Sequence, residues 1–403
     1  MATENNNKTL NVPNLRFPEF SGEWECKKLG DIGTTLIGLT YSPQDVVPSD
    51  GTIVLRSSNI KGGLLEYTDL VRVNKKIKES IITRTNDILI CARNGSARLI
   101  GKNAILKDSD CGHTFGAFMM VYRSEDNPFV HQLLSTKRYY SQVAENLGAR
   151  INQITTSDLN SFEFSFPQSN KEKVKIAGML SLLDERIATQ IKIIEKLESL
   201  IRGIVETHYS QSECVNQVRI SELGEPFSTM NMSKEDLSEE GNECILYGEL
   251  FTTYGCVIKE VKSRTHISTN KATVSQSNDL LFPASTTVDA MSLIAPSAIC
   301  KEGVILGGDL FGVHVNKNYN NEYLSHLINY IYKSKLARYA QGSTIIHLHY
   351  SDIKNATLVL PTIEEQNYLA HIMRVVEEKI NIEKDMLSKL YSQKAYLLSN
   401  LFI

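Results

Sequence analysis

Residues 91–107 read CARNGSARLIGKNAILK and hold Arg93, Arg98, Lys102 and Lys107 without one acid. Residues 72–84 add Arg72, Lys75, Lys76, Lys78 and Arg84 against a single Glu79. Around Gly148 a further polar stretch offers Arg150, Asn152 and Gln153. Arginine, asparagine and glutamine can each hold two points on a base edge, whereas lysine mainly meets phosphate. Taken singly, each of these is an ordinary solvated side chain. Gathered near glycine-rich turns, Arg93, Asn94, Arg98, Lys102, Arg150, Asn152 and Gln153 point to a loop surface that contacts duplex DNA.

The second half of the chain is built differently. Residues 211–362 carry 12 basic and 16 acidic residues, and their turns are rich in hydroxyls and aromatics. Tyr247, Thr252, Thr253, Tyr254, Ser285, Thr286 and Thr287 stand out, with Ser343 and Thr344 in a later polar stretch. Two regions with unlike polar loops would read unlike sequences.

Other chemistries lack their residues. Gly101-Lys102-Asn103 has the Gly-Lys pair of a phosphate loop, but neither its hydroxyl nor its spacing. His347 and His349 alternate without a third ligand, and there is no HExxH helix, so no metal site is expected. Neither an Asn-Pro-Pro-aromatic segment nor a convincing glycine motif for S-adenosylmethionine is present. Glu260-Val261-Lys262 resembles half of a nuclease pair without its upstream aspartate. The seven cysteines are scattered with no CxxC, which predicts reduced, mostly buried thiols. The expectation is a reader without catalytic residues or a cofactor of its own.

A chain of 403 residues suggests two to three domains, and a net charge of −3 excludes a polycation held to DNA by bulk charge. No stretch approaches the ~20 apolar residues of a membrane span. The opening MATENNNKTL has no apolar signal core, so a cytoplasmic protein is expected.

The elements that must position these loops are written twice. Gly148–Pro167 (GARINQITTSDLNSFEFSFP) and Gly342–Pro361 (GSTIIHLHYSDIKNATLVLP) lie at a constant offset of 194 residues. Asn86-Asp87-Ile88-Leu89 answers Asn278-Asp279-Leu280-Leu281 at an offset of 192. After each copy comes a long apolar heptad pattern. Ile176, Leu180, Leu183, Ile187, Ile194 and Leu197 form the first seam, which skips Gln190. Leu369, Met373, Val376, Ile380, Leu387 and Leu390 form the second, which skips Glu383. A sustained 3.5-residue period indicates a coiled-coil seam. The first helix, about Lys171 to Thr207, would be ~55 Å long at 1.5 Å per residue.

The fold class expected is α+β: two similar mixed α/β domains separated by two long helices paired as an antiparallel, pseudo-two-fold coiled coil. The boundaries expected are 1–168, 169–210, 211–361 and 362–403.

This order resembles the specificity subunit of type I restriction–modification systems. NVPNLRFPEFSGEWECKKLGDI, IVLRSSNI (53–60), NDILIC (86–91), NDLLFPAS (278–285) and PTIEEQ (361–366) are similar to recurrent segments of that family. PQSNKEK (167–173) departs from PTIEEQ where the first helix should begin. The resemblance implies that each domain reads one half of a split, asymmetric DNA target. Arg56, Ser58 and Asn59 of IVLRSSNI join the candidate contacts. It also implies that the helices dock two methyltransferase (modification) subunits, with translocating restriction subunits in a larger complex. S-adenosylmethionine, ATP and Mg would then belong to those partners. The rival reading is a coiled-coil scaffold whose repeated domains bind proteins.

Overall fold

The computed structural model describes residues 11–147, 152–211 and 216–403. It contains two long helices, Asn170–Gln211 and Ile363–Leu401, and two sets of short mixed strands. The chain divides into two compact units, residues 1–190 with 386–403 and residues 191–385. The long helices are thus shared out, half of each to a unit.

In the first unit, one four-stranded antiparallel sheet runs Thr34–Ile37, Met119–Arg123, Ile88–Cys91, Asn103–Ile105. A second runs Thr114–Phe115, Thr52–Leu55, Val71–Val73, Val46–Val47, with its first pair parallel. The second unit repeats the plan. Asp279–Pro283 pairs with Leu310–Val315 as Ile88–Cys91 pairs with Met119–Arg123. Asn242–Leu246 pairs in parallel with Ile305–Gly307 as Thr52–Leu55 does with Thr114–Phe115. The segments that open each helix begin at equivalent places, Asn170 and Ile363, despite the divergent PQSNKEK. Thr362 and Glu365 form reciprocal side chain–backbone bonds there. Ser169 and Glu172 keep the same spacing, but Glu172 is buried and bound by Arg16 at 2.8 Å.

The seam residues do what their period demands. Ile176, Leu180, Leu183, Ile187, Ile194, Leu369, Met373, Ile380 and Leu390 are buried, and Leu197, Val376 and Leu387 are half-buried. The skipped polar positions Gln190 and Glu383 are buried too. Within the first unit, Ile176 and Leu180 share a core with Leu401, Phe402, Trp24 and Phe129. Farther along, Asp184 is bonded by Lys394. The start of one helix therefore lies along the end of the other, antiparallel. In the second unit Glu198 meets Lys384 at 3.0 Å. The core of the first unit thus includes helix residues, and in the second unit Arg374 on the helix bonds Glu322 of the domain at 2.8 Å.

Of the six described cysteines, all free, only Cys91 and Cys244 are buried. This corrects the expectation of mostly buried thiols: Cys26 lies on an open edge strand with an exposed face.

Equivalent ties join domain to helix in both units, with different titration. In the first, Gln132 donates to Asp184 at 3.4 Å. In the second, the counterpart pair is His326 and Glu377 at 3.3 Å. Burial pushes His131, next to Gln132, down to about 4, against the pull of the Asp184 charge. Burial also opposes charge on His326, but the Cys256 thiol and the Glu377 carboxylate outweigh it and hold the imidazole up at about 10. An unfolded histidine titrates near ~6.5. The first unit therefore loses stability as pH falls from there towards about 4. The second has its full His326 contribution below that value and loses it as pH rises through about 10. Hydrogen exchange followed across pH should show the first unit loosening on the acid side and the second on the alkaline side. His326→Gln, which installs the first unit's residue, should remove the alkaline loss.

Candidate nucleic-acid interface

In the first unit the strand Ile88–Cys91 runs on through buried Ala92 and delivers Arg93 to the surface. Their N–H groups both donate to the carbonyl of Phe118, each at 3.0 Å. Arg93 forms an isolated β-bridge with Gln153, and Ile154 donates to the Ala92 carbonyl at 2.9 Å. The Asn94 N–H reaches the Asn152 carbonyl at 3.3 Å, and the Asn152 amide returns to the Gly95 carbonyl at 2.9 Å. Asn94 also donates to the Ser57 hydroxyl at 3.1 Å, and Lys102 leans on the Ser57 carbonyl at 3.5 Å. Four stretches distant in sequence, around residues 57, 93, 118 and 153, therefore meet on one surface.

The side chains on it fall into two groups. Arg93, Arg98 and Ser58 are exposed, and Gln153 is half-buried. Among the described residues no carboxylate pairs with Arg93 or Arg98. Asn94 and Asn152 spend their amides holding the loops together. Arg56 is engaged by Asp69 at 2.7 Å. Asn59 is a correction: it is fully buried, accepts from the Arg56 N–H and donates to the Glu66 and Asp69 carbonyls, so it shapes the turn from inside. Arg150 lies outside the described residues. Phe118, not anticipated from the sequence, is 59% exposed at the tip of the turn after Gly116, and the Arg93 guanidinium carbon lies 5.1 Å from its ring centroid.

The second unit builds the equivalent surface. Ser285–Thr286 pairs antiparallel with Ile346–His347, the counterpart of the Arg93–Gln153 bridge. The Ala284 N–H donates to the Asp309 carbonyl at 2.8 Å, as Ala92 does to Phe118. Thr286 caps the following turn by accepting from the Val288 N–H at 3.2 Å. Gly342 has φ of 120°, and a Cβ there would lie 2.1 Å from the Ile345 carbonyl oxygen. Only glycine lets this loop fold back, which leaves Ser343 and Thr344 exposed at its tip. Tyr247 is exposed beside Gly308, next to Asp309. Thr253 is exposed at the end of the short helix Glu249–Thr252. Two candidates are corrected. Ser285 is buried within its strand pair, and Tyr254 packs on the core with its hydroxyl accepting the Lys262 N–H at 3.0 Å. Burial raises the Tyr254 phenol accordingly.

His347 and His349 stack with ring centroids 6.2 Å apart. Among the described residues no group of three or more His, Cys, Asp or Glu could hold a metal ion.

The duplicated plan has a counterpart among known proteins. The family model of the type I restriction modification DNA specificity domain matches residues 21–199 and again residues 213–391. The chain belongs to this family. The specificity-subunit plan of two recognition domains and long helices is therefore its own. It is 26% identical over 188 residues to the EcoKI type I restriction enzyme specificity subunit of Escherichia coli (strain K12), covering 44% of this chain and 40% of that protein. The match thus spans less than half the length of that relative. To the MjaX specificity subunit of Methanocaldococcus jannaschii it is 24% identical over 417 aligned residues, 95% of this chain and 94% of that protein. The S subunit of a type I restriction–modification system from M. genitalium shares the fold, with a TM-score of 0.63 and 16% identity over 97% of this chain and 99% of that one.

Proposed function

We propose that this specificity subunit reads a bipartite, asymmetric duplex target, one half-site per unit, and performs no chemistry itself. In this reading, adenine methylation and restriction are carried out by partner subunits that bring S-adenosylmethionine, ATP and Mg. The observation that carries it is the pair of equivalent loop surfaces. Each is built on the same strand and bridge, and they present different side chains: Arg93, Arg98 and Gln153 in one, Thr286, Ser343 and Thr344 in the other.

Two modification subunits are the partners that the helices suit best. Leu182 and Ile193 on the first helix answer Val375 and Met386 on the second at an offset of 193 residues, and all four are exposed. In the first unit Leu182, Glu185, Arg186, Thr189, Gln190 and Leu390 line a groove of about 600 Å³. Repeated apolar patches suit two copies of one protein. Among the described residues no helix is long and apolar enough to cross a membrane, and a cytoplasmic site of action fits a target in cellular DNA.

The test is duplex binding and methyl transfer by the chain with and without a modification subunit. Binding should weaken steeply with salt through counterion release. Methyl incorporation should require the added subunit. Salt-insensitive binding to proteins, with no preference for DNA, would favour the scaffold reading.

A further inference from the structure

Among the described residues of the first domain, Arg56 and Arg123 are already engaged. Asp69 holds Arg56, and Asp87 holds Arg123 through two bonds of 2.7 and 2.6 Å. Arg93 differs. Its backbone is pinned by the Phe118 carbonyl and the Gln153 bridge, and its guanidinium lies over the Phe118 ring. An aromatic face attracts the planar cation without using its N–H groups, which remain available at the edge. Guanine presents O6 and N7 in the major groove, which match two adjacent N–H groups of one arginine.

We propose that Arg93 reads a guanine in the first half-site and that Phe118 positions the guanidinium for that contact. The proposal rests on the reading of function given above. The second unit lacks the device. Ser285 replaces Arg93 at the bridge, and Asp309 replaces Phe118 as acceptor of the preceding alanine N–H. The two half-sites are therefore read by different chemistry, and the guanine contact belongs to the first.

The experiment uses the full chain with a modification subunit that supports its activity. Methylated-adenine mapping gives the target, and each guanine is then replaced by 7-deazaguanine, which removes the N7 acceptor. One guanine should weaken wild-type binding about 10-fold when replaced, and the same replacement should leave binding by the Arg93→Ala variant unchanged. Phe118→Ala should lower discrimination at that base alone, with the other half-site and the melting temperature unaltered. Phe118→Tyr, which keeps the ring face, should restore it. A selective wild-type chain with no sensitive guanine would overturn the proposal while leaving the bipartite reading intact. So would a Phe118→Ala variant that weakens all positions equally. A wild-type chain that binds every duplex alike would overturn both.

Discussion

Leu180→Asp is expected to unfold the first unit. Leu180 is fully buried in a core made by Trp24, Phe129, Ile176, Leu401 and Phe402, so the new carboxylate would meet neither water nor a cation. Burying an unpaired charge and losing the leucine together should cost about 4 kcal/mol or more, a large share of a domain's stability. Leu182→Asp, two residues along the same helix, should change stability by no more than about 0.5 kcal/mol, because Leu182 is 65% exposed. Chemical denaturation of both variants checks the pair. Equal losses would show that the seam is not where the heptads place it.

Leu182→Asp is expected to act on assembly instead. Combined with Val375→Asp, it places a charge in each of the equivalent exposed patches. If these patches dock modification subunits, each substitution should weaken docking about 30-fold, the loss expected of a central interface residue at about 2 kcal/mol. Methyl incorporation measured against modification-subunit concentration should shift accordingly, while DNA binding by the chain itself stays unchanged. Undiminished methyl transfer by the double variant would place the docking surface elsewhere.

The helices were legible because a 3.5-residue period follows directly from a seam that must stay buried over many turns. The repeat was legible because both copies keep the strand that delivers the loop, at Asn86–Leu89 and Asn278–Leu281. Polar burial was not. Asn59 looks like a reader in IVLRSSNI, yet its role depends on carbonyls at Glu66 and Asp69 that only the folded turn brings to it. Tyr254 is likewise fixed by the Lys262 N–H, eight residues away. Phe118 was hidden for the opposite reason. It stands in the apolar run AFMMVY, where composition suggests core, but it falls at the turn before Met119 and faces outward. The meeting of Arg93 with Gln153 closes a separation of about 60 residues, beyond any local pattern.

The central claim is that each unit reads its own half of one split target. The most direct measurement is methylated-adenine mapping in cells expressing this chain with its modification partner, alongside a version whose residues 13–168 come from another specificity subunit. The account predicts a split recognition sequence for the first, and for the second a sequence in which one half-site changes and the other is retained. A continuous target, or an exchange that alters both half-sites together, would contradict it.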